Sequence, residues 1–234
     1  MKLPKKIDPC PIIDALVEIR FSTSIHPNAV FGLIYNTIKS DFENVENLPI
    51  LQLPEAIRSS DQNLKYKPHY KVISKDIVVQ IGPNVISISS YPEYIGWSAF
   101  SSKIYDILSK IKAVDIITEI HRIGTRYINF FEEDIYKNIN LNIHLNDEQI
   151  NYKNTVIRSE FDQGKYKSTL QIANNANNNG RVGSIIDIDT FIITDIKHFF
   201  NNMEDFINNG HKKEKQLFFS LLKNEFLETL NPQF

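Results

Sequence analysis

Four arginines, Arg20, Arg122, Arg126 and Arg158, fall in stretches that read as strands, while lysine supplies most of the remaining positive charge. Arginine is favoured over lysine where a planar fork must hold a carboxylate or phosphate in two places. If the strands carrying them are neighbours, Glu18, Arg20, Glu119, His121, Arg122 and Arg126 can converge on one patch of sheet. The chemistry this offers is an anion or nucleotide site built on Arg20, Arg122 and Arg126 with His121. Its structural counterpart is a cross-strand ladder of ion pairs on a solvated face.

Asp187 and Asp189 lie two residues apart in a strand and therefore point the same way. Such a pair can hold a divalent cation, with Glu160 of a nearby strand as a third ligand. The isoleucines at 186 and 188 allow the other reading, a polar outer face opposite an apolar one. The histidines at 69, 121, 144, 198 and 211 show no HExxH spacing. His211 follows Gly210 and precedes Lys212 and Lys213, so it serves either as a helix cap or as part of an anion site. Tyr91, Tyr94 and Trp97 surround a Pro-Gly turn and could stack a base, or form an aromatic lid over the start of a helix.

The chain has no P-loop, no GxGxxG and no GxSxG. A single cysteine, Cys10, excludes an internal disulfide or a CxxC metal site. A net charge of −2 gives no electrostatic footprint for duplex nucleic acid. The start, MKLPKKIDPCPII, is broken by three prolines before any exportable apolar stretch, and no run approaches the ~18 apolar residues that span a bilayer. A cytoplasmic protein is expected. With 234 residues and 42% hydrophobic composition, the chain can bury a real core.

The elements that must position these side chains are clearest between Ile77 and Phe131. Two β-rich runs, Ile77–Ile81 and Val85–Ile88, flank Gly82-Pro83-Asn84 and make a hairpin; Ile86 and Ile88 are read as its buried face, with serines opposite. Trp97, Phe100, Ile104, Ile107, Leu108 and Ile111 follow a helical stripe. From Asp115 to Phe131 the period returns to two, and Gly124 predicts a bulge that exchanges the faces.

Earlier, Ala15 to Ser22 is a strand with Ala15, Val17, Ile19 and Phe21 inward, and Val30, Phe31, Ile34, Ile38 and Phe42 mark a helix begun at Pro27. Residues 44 to 69 read as a long irregular connection, tied down by leucines and followed by a short strand at Tyr70–Ile73. Later, Ile139–Leu145 alternates like a strand, and Thr155–Phe161 and Tyr166–Ala173 form a hairpin. Asn174–Gly183 reads as a mobile Asn/Gly tip, and Ser184–Ile193 as the last strand. Two helices follow, separated at Gly210. The second carries Phe218, Leu221, Leu222, Phe226 and Leu230 on one stripe. Phe219 lies off that stripe, so Phe218, Phe219, Leu222 and Phe226 are a candidate partner surface, the alternative being a helix wedged into the core.

The segments PIIDALVEIRF, QLPEAIRSSDQNLKYKPHY, QIGPNVISISS with YIGWSAF, RIGTRYINFF and IIDID ahead of Gly210-His211 together resemble a sporadically distributed bacterial family of uncharacterised proteins. The resemblance covers nearly the whole chain. It implies no reaction and carries over no catalytic residue; the patchy distribution is like that of mobile, defence or toxin-linked genes.

The expected fold is α+β in two layers: a long, mostly antiparallel sheet from two halves, 1–134 and 135–234 or one continuous domain, helices on one side, and a C-terminal helical hairpin. The first half fits a ferredoxin-like variant, with a helix-grip arrangement around the 97–112 helix as alternative. The expected function is a non-enzymatic interaction or regulatory protein, acting through a protein partner or as a homo-oligomer, without a resident cofactor. The rival is an enzyme or sensor for a nucleotide or phosphorylated small molecule using the strand arginines. A single-stranded nucleic-acid binder using the aromatic cluster is a third reading.

Overall fold

Alternating apolar residues shape the first strand. In β1 (Ile12–Thr23), Ala15, Val17, Ile19 and Phe21 are buried while the residues between them stay partly exposed. The computed structural model describes residues 3–149 and 154–234. After β1, Pro27 occupies the first turn of α1 (Pro27–Ile38), whose Val30, Ile34 and Ile38 are buried and whose Phe31 stacks on Tyr70. The chain continues through β2 (Asn44–Asn47), α2 (Glu55–Ser60), β3 (Tyr70–Ile73), β4 (Ile77–Gly82), β5 (Val85–Ser90), α3 (Trp97–Lys112) and β6 (Ile117–Phe131). The stretch from 44 to 69, read as a connection, therefore holds an edge strand and a short helix.

The later elements are the two-residue strands β7 (His144–Leu145) and β8 (Glu148–Gln149), then β9 (Val156–Gln163), β10 (Tyr166–Asn178), β11 (Arg181–Ile192), α4 (Met203–Leu221) and α5 (Asn224–Thr229). Among the described residues, nine strands form one sheet in the order β2-β3-β4-β5-β1-β6-β11-β10-β9, and β7 pairs only with β8. The fold is α+β, and the pairings from β2 through β5 to β1 and between β9 and β10 are antiparallel. The path β5-α3-β6 leaves β1 between its two strands, a split β-α-β. No described helix is long and apolar enough to cross a membrane.

Contacts divide the chain into two compact units: residues 14–125 with 191–208, and residues 1–13 with 126–190 and 209–234. In the first, α1 packs on α3 and on β4, and Phe100, Ile104, Leu108 and Ile111 are buried as their spacing predicts. Strand β5 departs from the expected pattern. Ser87 and Ser90 are buried along with Val85, Ile86 and Ile88, so both of its faces are covered.

The second unit gathers one apolar core from Ile135, Ile139, Leu170, Ile172, Ile186, Ile188 and the end of α4. Several expectations are corrected here. Ile139–Leu145 forms no strand beyond β7: Ile139 is buried in the core, while Asn140 donates its backbone N–H to Leu221 O and its side-chain amide to Leu222 O. The Asn-rich tract is not a loop but the paired ends of β10 and β11, closed at Asn179-Gly180, both with positive φ, as a type I′ turn requires. Asn174 is bound to Asp134 and Ser184. Gly210 does not end a helix; it is buried within α4, and the break comes at Lys223, ahead of α5.

Two glycines on paired strands mark close approaches. Gly124 causes no exchange of faces, because Ile123, Thr125, Tyr127, Asn129 and Phe131 are all buried along one side of β6. A Cβ at Gly124 would overlap the Arg122 guanidinium, and one at Gly183 would overlap the carbonyl oxygen of Phe131. Backbone cannot yield as a flexible side-chain tip can. Gly183→Ala is expected to lower stability by about 1–3 kcal/mol, measured by urea denaturation.

Candidate functional site

Of the charged residues singled out in the strands, Glu18, Arg20, Arg122, Arg126 and Asp187 pair with one another. Glu18 Oε1 accepts from Arg20 Nε at 2.7 Å and from Arg122 Nη1 at 2.8 Å. Residues two apart on a strand share a face, which brings Glu18 beside Arg20, and Arg122 reaches across from β6. Arg122 also lies over the Phe191 ring at 4.5 Å, and Arg20 over the Tyr66 ring at 5.0 Å. His121 shares a 2.7 Å hydrogen bond with Ser22. This group has the form of an ion-pair ladder with aromatic support.

Arg126 belongs to the other unit. It clamps Asp187 in the bidentate geometry that suits a guanidinium, Nε to Oδ1 at 2.8 Å and Nη2 to Oδ2 at 2.6 Å. Both oxygens of Asp187 are thereby engaged, and Asp189 is engaged as well. Glu160 stands on β9 opposite Thr169 of β10. Among the described residues no three His, Cys, Asp or Glu side chains gather as a metal set, so Asp187, Asp189 and Glu160 do not form one.

His211 lies within α4, half-buried, with its ring 5.5 Å from that of Tyr127. It caps no helix end, and burial, with help from Lys215, lowers its pKa to about 3. One turn on, Glu214 is only 4% exposed, and burial raises its pKa to about 8. Glu214 escapes a motif search, yet a signal for it exists. It shares a helical stripe with Ile207, Gly210, Leu217, Phe218 and Leu221, all buried.

Phe218, Phe219, Leu222 and Phe226 do not lie on the surface of this chain. Their exposures are 5%, 8%, 3% and 8%, and all four belong to the apolar core of their unit. Phe219 packs edge to face on Phe218 at 5.1 Å. Trp97 spends its indole N–H on Asn208 Oδ1 at 3.2 Å, and Tyr94 packs on Phe100.

An exposed apolar and charged surface is found instead at β9, one end strand of the sheet. It is exposed nearly throughout, with Val156 at 63% and Phe161 at 39%. Its register with β10 puts Ile157 opposite Ile172 and Phe161 opposite Ser168, on the face that Ile172 and Leu170 bury. Arg158, Glu160 and Asp162 take the other face. No protein-family model matches the chain, and no curated protein matches it either.

Proposed function

We propose that the protein is a non-enzymatic interaction or regulatory protein that works by self-association through β9. One observation carries this reading: an end strand of eight residues that is exposed almost throughout. Such an edge offers unpaired N–H and C=O groups to another strand. The opposite edge, β2, is only four residues long. The resemblance to a sporadically distributed bacterial family supports a defence or toxin-linked setting.

A second copy fits this edge by charge and by shape. Placed antiparallel so that Ser159 faces its own counterpart, Arg158 meets the partner's Glu160 and Ile157 meets the partner's Phe161, each twice by symmetry. Opposite charges and apolar pairs directly across a ladder each contribute about 0.2–1 kcal/mol. Phe161, exposed on the core side, would then be covered.

The test is a charge exchange followed by light scattering. The unsubstituted chain is expected to be dimeric, Arg158→Glu and Glu160→Arg each monomeric, and an equimolar mixture of the two variants dimeric again. A monomeric unsubstituted chain, or an Arg158→Glu dimer as stable as the original, removes self-association through β9 and leaves a different protein as the partner to seek.

A further inference from the structure

Arg20, Arg122 and Arg126 have carboxylate partners, but Arg58 has none among the described residues. It projects from α2 into a cleft of about 310 Å³ that also receives His69, the first residues of α1 and the Pro83-Asn84 turn. Glu55 and Asp61 lie three residues to either side of Arg58 and line the same cleft, yet neither makes an ion pair with it. Asp61 Oδ1 instead accepts from the backbone and side chain of Asn63. Among the described residues, the one hydrogen bond of the Arg58 guanidinium is a long contact of 3.4 Å from Nη1 to His69 Nδ1, and its buried Nε has no hydrogen-bond partner. A buried donor without a partner is destabilising, and a ligand acceptor would relieve it. A guanidinium held against a ring nitrogen, with donor capacity to spare beside a cleft, is suited to an anion.

We propose that this cleft binds a small phosphorylated polyol, of the size of a monosaccharide phosphate, with its phosphate on Arg58 and His69 and its hydroxyls on Glu55 and Asp61.

His69 is suited to the role. Burial first, and the charge of Arg58 second, lower its pKa, so the ring is neutral at neutral pH. Because Nδ1 accepts from Arg58, the ring proton sits on Nε2, which becomes a donor for the ligand. Rotation of the last Arg58 torsions presents Nε and one Nη together as the fork that phosphate accepts. The N-terminus of α1 carries no acidic residue in its first turn, so its positive end adds to the attraction.

The carboxylates decide the class of ligand. With His69 neutral, Arg58 and Lys65 are balanced by Glu55 and Asp61 in the lining. A bare polyanion gains little from such a cleft, whereas a phosphate joined to hydroxyl groups satisfies both signs. The volume lies at the small end of ligand sites, too small for a dinucleotide.

Titration calorimetry of the full chain with ribose 5-phosphate, inorganic phosphate and ribose tests the assignment. Saturable binding of ribose 5-phosphate is expected, at least about tenfold tighter than inorganic phosphate, with none measurable for ribose. Arg58→Gln should weaken it at least tenfold, whereas Arg181→Gln, which removes an exposed partner of Glu132 in the other unit, should leave it unchanged. If Arg58→Gln does not fold, Arg58→Lys takes its place, and the His69 ring resonances of the unsubstituted chain must shift with saturation. No saturable binding at millimolar ribose 5-phosphate, equal binding by the Arg58 variant, or unmoved His69 resonances would overturn the site. Inorganic phosphate binding as tightly as the sugar phosphate would overturn the polyol part.

Discussion

Phe219→Asp is expected to unfold the unit that contains it rather than to alter association. The ring is 8% exposed, set edge to face on Phe218 and joined to a core that includes Leu222, Phe226 and Leu230. Truncating a buried phenylalanine alone costs about 3–5 kcal/mol. A carboxylate in the same place also loses its hydration, or must take up a proton to avoid that loss. Against a total stability of about 5–15 kcal/mol for a typical domain, the variant should lose most of its urea resistance. Val182→Asp provides the contrast, since Val182 is 60% exposed and a surface change should stay within about 0.5 kcal/mol. A well-folded Phe219→Asp protein with weakened self-association would instead place the interface at α4 and count against β9.

That contrast shows where the sequence was legible. The inward set Ala15, Val17, Ile19 and Phe21 and the stripe Phe100, Ile104, Leu108 and Ile111 have one period and one buried face each, and the structure buries them as expected. The α+β class and the antiparallel hairpins follow from such runs. Phe219 follows the alternative of a wedged helix, and the sequence does not separate the two readings because a helix buried on more than one side has no dry and wet faces to tell apart. Gly210 failed because a glycine inside a packed helix looks like a helix end until its burial is known. The Asn-rich tract is a hairpin tip as its composition suggests, but strand pairing extends further into it than the weak local propensity indicates.

The candidate site was legible only in part. The arginines in strands were visible, and so was the alternative that their partners are carboxylates; Arg122 with Glu18 and Arg126 with Asp187 follow that alternative. Arg58 and His69 were not visible as a pair. They lie 11 residues apart in a stretch without periodicity, and only the fold between α2 and β3 brings them to one cleft. No spacing rule describes such a meeting.

The pH dependence of stability should carry the signature of two desolvated groups one helical turn apart in α4, buried Glu214 and half-buried His211. Glu214 ordinarily titrates at 4.5 and in the folded chain at about 8. Between those values the folded chain keeps a proton that the unfolded chain releases, so raising the pH favours unfolding, by up to about 1.4 kcal/mol per pH unit. His211 works in the opposite sense. Its ordinary value of 6.5 falls to about 3, so between those values the unfolded chain takes up a proton that the folded chain refuses, and lowering the pH favours unfolding. The two slopes cancel from about pH 4.5 to 6.5, leaving a plateau with a falling limb on either side. Lys215, whose pKa burial lowers from 10.5, acts at the alkaline end. Glu214→Gln should abolish the fall between pH 6.5 and 8 while keeping the acid limb, and His211→Asn should do the reverse. Urea denaturation at half-unit pH steps measures both. A Glu214→Gln profile that still falls above pH 6.5 in parallel with the original would show that this carboxyl ionises freely in the folded chain. A kept fall in Glu214→Gln would therefore exclude the buried, proton-holding state assigned to it, whatever the behaviour of His211.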